Sequence, residues 1–224
     1  MASYGGTPVT TATIAKTKNT MGCMMASVVS IEYVNPHICG GCVYSEKWIV
    51  TTASCLENKG LGELGVVAGQ VNLIDSDYSE ERHAVFRVIP YDTFGNVTLV
   101  DDIALIELSS LIKLNGVLRN FIKFNEVMTD VETTPTGTFM GWGATVAGGG
   151  FSPRLRHAQL KMIEDNAICG TFGAEEFQIS KMICAMDMDN IGRAISAILL
   201  HDVCLDDHLS IPCSCSMHFR RRIS

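Results

Sequence analysis

No stretch of this 224-residue chain reaches the roughly eighteen consecutive apolar residues that a membrane-spanning helix needs; "AISAILL" at 194–200 is too short. The opening "MASYGGTPVTTATIAKTKNT" also lacks the apolar core, about 7–15 residues long, of a secretory leader. Excess positive charge is missing. Lys and Arg total 17 against 24 Asp and Glu, the net charge is −7, and the acid is spread along both halves. That excludes a broad electrostatic footprint for nucleic acid. The one basic run, Arg220-Arg221-Arg222, reads as solvated terminal charge. Only 18% of residues are charged, against 47% hydrophobic, so the chain can bury a sizeable core. Internal repeats are absent. "GGG" at 148–150 has neither the following Lys nor the strand–turn–helix context of a phosphate cradle. His37, His83, His157, His201 and His218 show no paired metal spacing with the cysteines, so zinc is not expected.

What the chain does have is cysteine. Nine in a chain of this size favour an oxidising compartment, with at least one thiol left over. Secretion and a missing leader disagree; a natural N-terminus missing or mis-assigned in this chain reconciles them. Proline is scarce at 6, glycine is plentiful at 20, and helical periodicity is weak, which together favour β structure with many turns.

The organisation follows. Residues 1–25 read as an irregular N-terminal arm. From Ala26 onward come short β-branched runs: "SVVSIEYV", "KWIVTTA", "LGVVAGQVNLI", "HAVFRVIPY" and "IALIEL". Turn-forming groups such as "NPH", "ENKG" and "TFGN" divide them, as in a sandwich or barrel. A second strand-rich stretch starts at "GTFMGWGATV" and continues through "RHAQLKMIED". After Met188 the character shifts. "DNIGRAISAILLHDVCLDDHL" reads as a moderately apolar helix or an unplaced segment, and 189–224 is an unmatched tail.

Several of these motifs, in order, resemble the chymotrypsin/trypsin-like serine proteases. "HICGGCVYSEKWIVTTASC" is similar to that family's first-barrel core, where Cys-Gly-Gly leads to Trp and then to Thr-Ala-Ala-His-Cys. "DDIALIEL" is similar to the strand carrying its triad aspartate, and "GWGAT" to the start of its second barrel. "DNAICGTFG" and "KMICAMD" resemble its cysteine-bearing helix and the strand returning to it. The resemblance implies a trypsin-like domain over 26–188 and an all-β fold of two six-stranded-type barrels, the second incomplete at its C-terminal end. It implies disulfides Cys39–Cys55 and Cys169–Cys184, pairings that spacing alone does not fix. Cys42 stands where the family usually has Ser or Thr. Cys23, Cys204, Cys213 and Cys215 have no family partner.

The chemistry of that family needs a hydroxyl nucleophile, an imidazole base, an orienting carboxylate and an oxyanion hole. Asp102 matches the carboxylate, with Asp101 the lesser candidate. At the base position stands Ser54, whose hydroxyl does not accept a proton near neutral pH as imidazole does. No Gly-Asp-Ser-Gly-Gly-Pro run exists to supply a nucleophile. Its nearest echo is "CLDDHLSIP", Cys204 to Pro212, which sits too late and would put His208 at the serine's place, Asp207 before it, and Asp206, Leu209 and Ser210 where glycines shape the oxyanion hole. The family's activating N-terminus, Ile-Val-Gly-Gly in pattern, has only "SYGGTPVT" as counterpart. Its calcium loop would span "GQVNLIDSDYSEE", with Gln70 in place of one acidic ligand and Glu80 or Glu81 as the other, so calcium is not expected.

The expectation is therefore an inactive serine protease homologue. It would use no cofactor and would be secreted. It would act by binding a protein, a protease or a protease substrate among the candidates. The alternatives are a serine-type endopeptidase family member truncated or frame-shifted here, and a non-functional partial gene product.

Overall fold

A computed structural model describes residues 7–8, 25–76, 79–95, 100–124, 136–145, 149–163, 183–187, 194–198 and 215–217. The β-branched runs become the strands of a closed barrel. These are β2 (Val28–Tyr33), β3 (His37–Val43), β4 (Trp48–Thr51), β5 (Leu64–Ala68), β6 (Glu81–Pro90) and β7 (Ala104–Leu108). They pair in the order β2-β3-β4-β7-β6-β5, a closure that leaves no sheet edge in the ring. Val29, Ile31, Val43, Ile49, Val66 and Ile106 fill the interior and are completely shielded from solvent. Each contributes roughly 1.5–3 kcal/mol by leaving water.

The two faces of these strands explain their patterns. β6 alternates, because its outer face is wet. β2 does not alternate: Val28 and Ser30 are as buried as Val29 and Ile31. Its outer face is covered by a second apolar cluster in which Val28, Cys42 and Val71 of the barrel side pack with Met140, Trp142 and Leu155. Backbone hydrogen bonds from Leu155 to Val71 (2.8 Å) and from Leu73 to Pro153 (2.8 Å) close this seam.

Beyond the seam lies an antiparallel sheet. β9 (Thr136–Gly141) pairs with one edge of β10 (Arg156–Ile163). β1 (Thr7–Pro8) and β11 (Ile183–Asp187) pair with the other, and β12 (Ala194–Ile198) extends β11. β8 (Ile122–Phe124) and β13 (Cys215–Met217) form a separate parallel pair. Among the described residues this second sheet is open, and the whole is in keeping with the all-β trypsin-like fold. One local reading changes. "AISAI", read as part of a helix or as unplaced, is the strand β12, because pairing with β11 overrides a short Ala/Ile run that either state tolerates.

Candidate functional site

The site is set by register. Antiparallel pairing of β4 with β7 places Thr51 opposite Ala104, so both chains leave the barrel at the same end. Three residues past Thr51 comes Ser54, in the short helix Ala53–Leu56; two residues before Ala104 comes Asp102. The Ser54 hydroxyl donates to Asp102 Oδ2 at 2.6 Å and the Ser54 N–H donates to Oδ1 at 2.7 Å. Asp102 is 6% exposed. A carboxylate so deep in the protein has to find donors, and Ser54 supplies one to each oxygen. The helix gains as well. Its N-cap residue Thr52 makes no side-chain cap, and Asp102 takes one of the N–H groups that a first helical turn leaves unsatisfied.

Asp101 is turned away from this pair. It sits at φ 58°, its carbonyl accepts from the Ile103 N–H at 2.8 Å, and its Oδ2 accepts from the Thr93 hydroxyl at 2.5 Å. A left-handed aspartate is tolerated where its side chain is tied locally, and here the tie aims Asp102 inward. On the other side Ser54 is fixed by its neighbour. Cys55 is disulfide-bonded to Cys39 of β3, with a Cα–Cα distance of 6.4 Å, and Thr51 Oγ1 donates to Gly40 O at 2.8 Å. Gly41 suits a tight spot: a Cβ there would stand 3.0 Å from both Ile49 Cγ2 and the Val50 carbonyl, closer than ordinary packing. Cys42 is also engaged in a disulfide.

Other sequence-level candidates lie outside the described residues. They include the Cys169–Cys184 pair (only the backbone of Cys184 is described, in β11) and the Cys204–Pro212 echo with Asp206, Asp207, His208, Leu209 and Ser210. His201 and His218 lie outside them too. Among the described residues no cluster of three or more His, Cys, Asp or Glu is arranged to hold a metal ion.

Sequence reasoning missed His37. Its Nδ1 is 2.8 Å from the Ser30 hydroxyl, and its ring packs against Trp142 (centroids 5.3 Å apart) and edge-on to Phe151 (4.7 Å). Burial pushes its pKa down to about 4, so the imidazole is neutral at physiological pH. Nothing local marks it. Its partners lie across a β-hairpin and across the seam.

A closed six-stranded barrel, an antiparallel sheet packed on it through a Trp-centred seam, and a buried aspartate at the barrel's end together define the chymotrypsin-like scaffold. The trypsin family model matches residues 15–196. The chain is 32% identical over 152 residues to coagulation factor IX of Oryctolagus cuniculus, an alignment covering 66% of this chain and 53% of that protein. It is 30% identical over 169 residues to chymotrypsin-like elastase family member 1 of Felis catus, covering 71% and 61%. It is 29% identical over 161 residues to trypsin alpha-4 of Lucilia cuprina, covering 70% and 60%. The chain belongs to the trypsin family of serine-type endopeptidases, and these alignments span between half and two thirds of the relatives' own lengths.

Proposed function

We propose that this chain is a non-catalytic member of the trypsin family, a pseudoprotease that acts by binding protein. The observation that carries the reading is the Ser54 hydroxyl on Asp102 Oδ2 at 2.6 Å. In this reading Asp102 is the vestigial acid and Ser54 occupies the general base's place. Serine cannot serve as that base, and the sequence holds no Gly-rich serine run for a nucleophile. Loss of either group costs roughly 10⁶-fold in turnover, or about 8 kcal/mol of transition-state stabilisation. The partner is a protease or a substrate of one, met outside the cell. The Cys39–Cys55 disulfide supports an oxidising compartment.

Assay against peptide and ester substrates, together with a serine-directed phosphonate probe, tests this directly. Neither turnover above background nor labelling is expected; stoichiometric labelling mapped to any serine would overturn it. A second reading draws on coverage. In it the chain is a serine-type endopeptidase family member that is truncated or frame-shifted here, a reading prompted by alignments that cover 53–61% of each relative. A Gly-Asp-Ser-Gly-Gly run in another frame downstream of Met182 in the encoding nucleotide sequence would favour that reading.

A further inference from the structure

The loop between β5 and β6, where the family resemblance places calcium, already contains a cation supplied by the chain itself. Arg119 is presented to it by a tight turn. Asn115 Oδ1 accepts the N–H groups of Val117 (3.0 Å), Leu118 (2.8 Å) and Arg119 (3.0 Å), and the Asn115 N–H returns to the Arg119 carbonyl at 3.0 Å. From this turn the guanidinium reaches into the loop. Its Nη1 donates to the Ser79 carbonyl, its Nη2 lies 3.2 Å from Glu81 Oε1, and its Nε donates back to the Lys113 carbonyl at 2.9 Å. The side chain is 12% exposed.

Among the described residues of the loop, the remaining groups do not suit a divalent ion. Calcium takes about six to eight oxygens, several of them anionic. Gln70 offers a neutral amide. The Glu80 carboxylate accepts from the Ser76 hydroxyl at 2.9 Å, and Glu81 Oε2 accepts from the Lys113 N–H at 2.9 Å. Two loop acceptors, the Ser79 carbonyl and Glu81 Oε1, are taken by the guanidinium, whose fixed charge would repel a second cation. Gly69 permits the closure. At φ 78° it lets the Ser79 carbonyl come within 2.7 Å of where a Cβ would stand, with Arg119 Cγ at 3.3 Å.

We infer that Arg119 is the resident cation of this loop. It ties Ser79 and Glu81 to the 113–119 turn and makes the loop independent of divalent metal, whatever the protein's activity. Thermal unfolding and limited proteolysis of the whole chain test it, in a few millimolar calcium chloride and in EDTA. The expected result is the same Tm and the same cleavage pattern in both, with no sensitised terbium luminescence. A saturable rise in Tm with calcium, or stoichiometric terbium emission, would overturn it. Arg119→Met should lower Tm by roughly 3–8 °C and admit cleavage between 70 and 80, and calcium should not restore either. An Arg119→Met protein that melts and cleaves like the parent would equally refute the closing role. Should Arg119→Met fail to fold, Arg119→Lys, which keeps the charge but not the fork, should melt below the parent and stay insensitive to calcium.

Discussion

One residue, Ser54, supplies a donor to each oxygen of the Asp102 carboxylate: its hydroxyl at 2.6 Å and its backbone N–H at 2.7 Å. The pair ties residues 48 positions apart and joins the end of β4 to the start of β7. A carboxylate held in this way has a structural job whether or not a proton ever moves nearby.

Removing the hydroxyl should therefore cost stability. Ser54→Ala deletes one charge-assisted bond to a buried acceptor, about 1–3 kcal/mol, and Tm should fall by roughly 2–4 °C per kcal/mol. Asp102→Ala should cost more, since both donors lose their acceptor. Asp102→Asn should lie between Ser54→Ala and the parent, because the amide keeps one acceptor and the serine hydroxyl can rotate to accept from its NH₂. A thermal melt series with the double variant measures the coupling. Additive losses would show that the pair is not a unit.

The Cys39–Cys55 disulfide closes a loop with a sequence separation of 16 and anchors the residue next to Ser54. A loop of that size contributes about 3 kcal/mol in the chain-entropy model. The Cys39→Ala/Cys55→Ala double variant should melt roughly 6–12 °C lower. It should also weaken the coupling between Ser54 and Asp102 measured in the same cycle.

His37 makes stability pH-dependent in one direction. Its folded pKa of about 4 lies below the unfolded value of 6.5. Between those values the unfolded chain holds a proton that the folded chain refuses, so stability is full above pH 6.5 and declines as the pH falls to about 4. The loss across that window is on the order of 3 kcal/mol. Urea titrations at pH 7, 5.5 and 4 should show it, and His37→Gln should flatten the slope in that range. An unchanged slope in the variant would assign the effect elsewhere.

The barrel was legible because its strands are unusually plain runs of Val and Ile, with turn residues between them. Ser54 and Asp102 were legible for another reason: "TTASC" and "DDIALIEL" carry them at fixed offsets from a cysteine and a strand, so register alone brings them together. His37 and Arg119 were not. His37 depends on Trp142 and Phe151, more than a hundred positions away, and Arg119 on Ser79, 40 positions back. No local pattern encodes contacts that exist only after the seam and the loop have closed. The strand β12 was missed because a short run of Ala and Ile takes its conformation from its neighbour.

Placing an imidazole at position 54 is the sharpest test of the functional reading. Ser54→His keeps the backbone N–H to Asp102 Oδ1 and replaces the hydroxyl donor to Oδ2 with a ring N–H. The ring should be oriented by the carboxylate, and its pKa should rise above the ordinary histidine value because the imidazolium gains an anionic partner. NMR titration of the introduced imidazole would read the shift. Hydrolysis should nonetheless stay at background. On the proposed reading a base without a nucleophile would have no proton to take, and without glycines to aim backbone N–H groups, developing oxyanion charge would have no donors. An oriented, titrating ring in the Ser54→His variant, with no activity, is the expected pair of results. The same variant hydrolysing a peptide ester would mean that a serine elsewhere in the chain reaches this site, and the reading as a pseudoprotease would have to be abandoned.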